Sequence, residues 1–188
     1  MNISSKTSWI TRTAILIALL ITWQMFMGRM TGNNQLIVGT GVNLMLAISV
    51  MTGGLWSGVA VGMLSPVFAR FLGIGPLWAI VPVIMIGNLA FAILWHLIGN
   101  FKIGSKQAYS YIIAAPCAAL VKFLILYLGV SHVVIPMFLN IPEQQANAIS
   151  NVFGITQFIT ASLGGVVACA MLPLLRNAIG KDRYSHRT

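Results

Sequence analysis

Long apolar runs separated by short polar breaks make up most of the chain, and within each run the hydrophobic positions are continuous rather than alternating. Runs of this length predict helices, because a half-buried strand would repeat every second residue. The expected helices cover about 9–28, 38–52, 55–72, 77–99, 109–130 and 146–175. The breaks between them carry turn chemistry. Thr31-Gly-Asn-Asn-Gln35 is a polar loop, Gly53-Gly54 permits a tight reversal, and Gly73-Ile-Gly-Pro76 ends the third helix. Pro82 falls near the start of the fourth helix and Pro116 a third of the way into the fifth, while Pro136 and Pro142 mark a longer loop. A membrane span needs about 20 residues. The second helix is short for that and is expected to be tilted or shielded by protein. The sixth is too long and is expected to begin outside the hydrocarbon.

Composition decides where these helices live. The chain is 58% hydrophobic and 7% charged, with a mean hydropathy of +0.90. Soluble domains carry about 25% charged residues. Backbone groups in lipid must be satisfied internally, so spanning elements are helices or closed barrels, and continuous apolar runs select helices. The expectation is one all-α membrane domain, residues 1–188, built as a six-helix bundle. Residues 14–27 resemble a signal-peptide core behind Lys6 and Arg12. No small-x-small cleavage pattern follows, so this segment is read as a retained first helix.

Charge then orients the bundle. An even number of helices puts both termini on one side. With that side cytoplasmic, Lys6, Arg12, Lys102, Lys106, Arg176, Lys181, Arg183 and Arg187 lie inside, and only Arg29, Arg70 and Lys122 lie towards the outside. Eight against three fits the bias of lysine and arginine to the cytoplasmic face. The net charge of +9 does not point to nucleic acid, because the basic residues are dispersed at helix ends rather than clustered among aromatics.

The three outer cations are candidates for function. Lys122 lies about 13 residues into its helix, or about 20 Å at 1.5 Å per residue. A lysine or arginine at helix centre costs roughly 2.5–3.5 kcal/mol on insertion scales. Arg29 and Arg70 are either loop-edge residues meeting lipid phosphates or part of a cationic pocket for a carboxylate. Lys122 either has a structural partner, such as a helix-end carbonyl or Glu143, or serves the same pocket. The amides Asn43, Asn88, Asn151 and Gln157 both donate and accept, which suits hydroxyl and amide groups of a ligand; interhelical hydrogen bonding is the alternative. Asn147, Asn151, Gly154 and Gln157 are spaced by four, three and three, which predicts one helix face. Phe71 and Trp78 lie near the same end, where Trp78 suits an interfacial anchor.

Other chemistries find little support. Gly54, Gly58 and Gly62 form a double G-x-x-x-G stripe, expected to pack helices. No phosphate-binding glycine loop occurs, so the chain is not expected to hydrolyse ATP. His96 and His132 lack metal-ligand spacing, no serine sits in a nucleophile motif, and Cys117 and Cys169 read as buried small hydrophobes. No enzyme activity, metal or cofactor is expected.

The chain resembles the substrate-binding S components of energy-coupling factor (ECF) vitamin transporters over nearly its whole length. Thr11-Arg-Thr-Ala-Ile-Leu-Ile-Ala18 is similar to that family's first-helix pattern, and Ala14 and Ala18 match its alanine pair. Asn33-Asn-Gln-Leu-Ile-Val-Gly-Thr-Gly-Val-Asn43, Gly53-Gly-Leu-Trp-Ser-Gly58, Ser65-Pro66 and Ile86-Gly-Asn88 are similar to a subgroup associated with pantothenate. The resemblance implies a prokaryotic plasma-membrane protein that captures a vitamin from outside. It implies docking through Ala14 and Ala18 to a transmembrane coupling subunit, with ATP bound by two partner ATPase subunits. Pantothenate, with one carboxylate, one amide and two hydroxyls, matches the outer cations and amides; folate, a dicarboxylate, is the alternative anionic vitamin. A self-sufficient small-anion transporter is the alternative outside the family, although the internal repeats typical of such proteins are not evident.

Overall fold

A computed structural model describes residues 3–31, 34–101 and 107–185. Asn33, Lys102, Lys106 and Arg187, used in the resemblance and the charge argument, lie outside the described residues. All described elements are helical: α1 (Ile3–Met30), α2 (Gln35–Gly53), α3 (Leu55–Phe71), α4 (Val81–Asn100), α5 (Gln107–Leu126), α6 (Glu143–Phe153) and α7 (Ile155–Ser185). The six predicted helices are all present among the described residues, with the sixth broken into α6 and α7. Five helices are long and apolar enough to cross a membrane, and α3 is a shorter apolar helix. By helix length and hydropathy the chain is a multi-pass membrane protein.

Large apolar side chains such as Ile10, Trp56, Phe68, Val166 and Leu174 are exposed around the bundle. Helices that are apolar on all sides suit a lipid surround. α2 is central, packing on α1, α3, α4 and α7, while α5 packs on α4 and α7. The short second helix is therefore shielded by protein, with half of its most apolar window buried. α1 rests on α2 and α3. Trp9 Nε1 donates to Gly53 O at 3.0 Å, and the Thr13 and Ser57 hydroxyls lie 2.9 Å apart.

Glycines set the closest approaches. A Cβ on Gly58 would fall 2.2 Å from Val50 Cγ2, and one on Gly62 would lie 3.1 Å from Asn88 Cβ. Gly58 and Gly62 thus pack internally against α2 and α4, as their spacing predicts, whereas Gly54 precedes α3 and a Cβ there would meet nothing within 4 Å. Gly54 adopts φ +84° at the α2–α3 reversal, a conformation that side chains rarely adopt.

Two elements differ from expectation. The fifth helix does not stop near 130 but continues through a π segment, Tyr127–Val134, into a last α turn, Ile135–Phe138. Pro136 sits in the first turn of that last piece. The sixth helix breaks because Gly154 takes φ −89° and ψ −127°, outside the helical region. The expected face Asn147–Asn151–Gly154–Gln157 is therefore not one helix face. Asn147 and Asn151 are exposed on α6, and Gln157 is buried on α7.

Candidate functional site

At the end of the bundle where α1 meets α2, all seven helices and the 72–77 loop enclose a cavity of about 290 Å³. Its floor is polar. Lys122 of α5 lines it and is only 2% exposed. The ammonium donates to Asn43 Oδ1 at 2.6 Å and to Asn88 Oδ1 at 2.7 Å. It also lies 5.5 Å from the centre of the Phe91 ring, within cation–π range.

Backbone geometry explains why both amides present oxygen. Asn43 Nδ2 donates to Gly39 O, one turn earlier on α2, at 2.8 Å. Asn88 Nδ2 donates across to Gly62 O on α3 at 2.9 Å. Gly62 O is free to accept because the residue four positions on is Pro66, which has no N–H to return. Gly62 itself, lacking a side chain, lets α4 come close enough for Asn88 to reach. Behind Asn43, a Cβ on Gly164 would lie 2.7 Å from Thr40 O and 2.8 Å from Asn43 Cβ, so α7 is pressed against α2 there. Three features of the sequence, Gly62, Pro66 and Gly164, thus orient two amides on one lysine.

The electrostatic result is a cation without a counter-ion. Among the described residues no carboxylate forms an ion pair with Lys122, and its hydrogen bonds are the two amide bonds. Glu143, one of the two acidic residues of the chain, is exposed in the first turn of α6. The partners of Lys122 are therefore neutral amides rather than the helix-end carbonyl or Glu143 considered from sequence. An ammonium has three donors, and the two amide bonds use two of them.

The cavity gathers Lys122, Asn43, Asn88 and Gln157 from the expected site, and does not gather Arg70, Arg29 or Asn151. Arg29 is exposed on α1. Arg70 is drawn to Trp78, with its guanidinium carbon 5.9 Å from the ring centre, and Trp78 meets Phe71 edge-on at 5.0 Å. The cause is the turn that ends α3. Gly73 N donates to Arg70 O and Ile74 N to Ala69 O, with Gly73 at φ +74°, the Schellman pattern. That turn folds Ile74, Gly75 and Pro76 over the cavity and leaves Arg70 beside it.

Gln24, Gln35 and Ser65 also line the cavity and are not among the site residues expected from sequence. Gln24 had the same signal as Asn43, an amide inside an apolar helix. Ser65 had no such signal, since a helical serine usually bonds its own backbone. Ala14 and Ala18 are exposed on α1, away from its contacts with the bundle. Comparison with protein-family models, curated proteins and solved structures finds no match for the chain.

Proposed function

We propose that this chain is the membrane-embedded substrate-binding subunit of an ECF-type vitamin importer, and that its cavity takes an anionic vitamin, pantothenate foremost. The observation that carries the reading is Lys122: a buried ammonium, held by two neutral amides at a cavity wall. Burying an ion without a partner is unfavourable, and a ligand carboxylate is the partner the site lacks. The size supports a compact acid. Small-molecule sites run from about 300 to 1,000 Å³, and a cavity of about 290 Å³ suits pantothenate better than the much larger folate.

On this reading the N-terminus is cytoplasmic and the cavity opens outward. The exposed Ala14 and Ala18 are the contact for a transmembrane coupling subunit, and two ATPase subunits supply the energy. The resemblance of the first helix and of the Asn33–Asn43, Gly53–Gly58 and Ser65–Pro66 segments supports the assignment. The test is uptake of labelled pantothenate into membrane vesicles. The expected result is binding by this chain alone, but ATP-dependent accumulation only when a coupling subunit and ATPases are co-expressed. Accumulation by the isolated chain in liposomes would favour a self-sufficient transporter instead.

A further inference from the structure

Lys122, Asn43 and Asn88 are paired with one another at the cavity wall, and two other polar groups there are unspent. Ser65 of α3 is 1% exposed, and its Oγ has no hydrogen-bond partner. A serine in a helix ordinarily donates to the carbonyl one turn back, which Ser65 does not do. Gln24 of α1 has its Oε1 buried and also without a partner. Both residues line the same cavity as Lys122. A buried polar atom left unmade costs about 1–3 kcal/mol, so two of them in one cavity ask for an occupant. An amide oxygen only accepts, and a hydroxyl accepts as well as donates. The group they are built to meet is a donor.

We infer that the site has a second polar subsite. The ligand's acid group is held at Lys122, and a hydroxyl on the same ligand is held by Gln24 and Ser65. The ligand class is a small hydroxylated carboxylic acid. A plain fatty or aryl acid satisfies Lys122 and leaves the second subsite unpaired. This inference rests on the reading of the cavity as an anion site and adds the specificity of that subsite. Sites that hydrogen-bond a ligand group discriminate strongly against analogues lacking it, because their own buried groups are then stranded.

The test is equilibrium binding to the purified full-length chain with two acids of one skeleton. One is pantothenate; the other is N-(3,3-dimethylbutanoyl)-β-alanine, which keeps the carboxylate and amide but lacks both hydroxyls. The unmodified protein is expected to prefer pantothenate by about ten-fold or more. Gln24→Met and Ser65→Ala are each expected to weaken pantothenate while leaving the hydroxyl-free acid within about two-fold, and the double variant to bring the ratio near one. Unchanged binding of the hydroxyl-free acid also reports that the variants are folded. Equal affinity of the unmodified protein for the two acids, the result if water alone fills the second subsite, would overturn that subsite and leave the anion reading standing. A preference that survives in the double variant would overturn it too. Failure of both acids to bind the unmodified protein would overturn the anion reading, and the second subsite with it.

Discussion

Lys122 Nζ lies 2.7 Å from Asn88 Oδ1, and the side chain that supplies that oxygen is aimed by a proline on another helix. Because Pro66 gives no N–H to Gly62 O, Asn88 Nδ2 takes that acceptor and its oxygen turns to the lysine. The cation is solvated by the protein but not neutralised, which is the state a carboxylate ligand needs.

Exchanging the amide for an acid removes that need. Asn88→Asp keeps the shape of the side chain and adds a negative charge beside the ammonium, forming an internal ion pair. The expected outcome is loss of carboxylate binding by about 100-fold or more, about 2.7 kcal/mol, with a melting temperature in detergent that changes little, because the new ion pair is offset by the lost bond from Asn88 Nδ2 to Gly62 O. Calorimetric titration and a thermal melt check the two halves. Retained binding would mean that Asn88 does not border the ligand.

Pro66 separates stability from function. Proline inside a helix costs about 3 kcal/mol through its lost hydrogen bond and ring clash. Pro66→Ala returns an N–H to Gly62 O and competes with Asn88 Nδ2 for it. α3 is expected to become more stable while ligand affinity falls about ten-fold, which corresponds to about 1.4 kcal/mol. A melt that rises with affinity unchanged would show that Asn88 does not depend on the freed carbonyl.

Close packing behind Asn43 makes a third prediction. A methyl group at Gly164 meets the α2 backbone at Thr40 O and Leu44 N, 2.7 and 2.9 Å away, and backbone cannot turn aside as a side chain can. Gly164→Ala is expected to destabilise the fold by about 1–3 kcal/mol, the usual cost of overpacking, and to lower the melting temperature. A neutral substitution would show that α2 and α7 separate easily.

How far the sequence could be read follows from what each residue depends on. The helices and their lipid-facing character rest on local composition, and both are legible. Lys122 stood out because depth in an apolar run is itself a sequence property. Asn43, Asn88 and Gln157 followed by the same reasoning. The partners of Lys122 were not legible, because Asn43 is 79 and Asn88 34 positions away and their orientation hangs on Pro66 and Gly39. Arg70 looked like a pocket cation because of its position, yet a local turn at Gly73 sets it against Trp78. Asn151 seemed to share a face with Gln157 because spacing assumes an unbroken helix, and Gly154 breaks it. Ser65 stands in a segment that carries the resemblance, but its unused hydroxyl at the cavity wall is a property of the packed bundle and not of the sequence.

Binding of labelled pantothenate to the purified chain, compared among the unmodified protein, Lys122→Met and Arg70→Ala, tests the central claim most directly. Lys122→Met removes the ammonium and keeps a long apolar side chain. The account predicts binding by the unmodified protein, loss of about 100-fold or more in Lys122→Met, and a change of less than about three-fold in Arg70→Ala, a half-buried cation–π residue outside the cavity. Full affinity in Lys122→Met, or loss confined to Arg70→Ala, would contradict it.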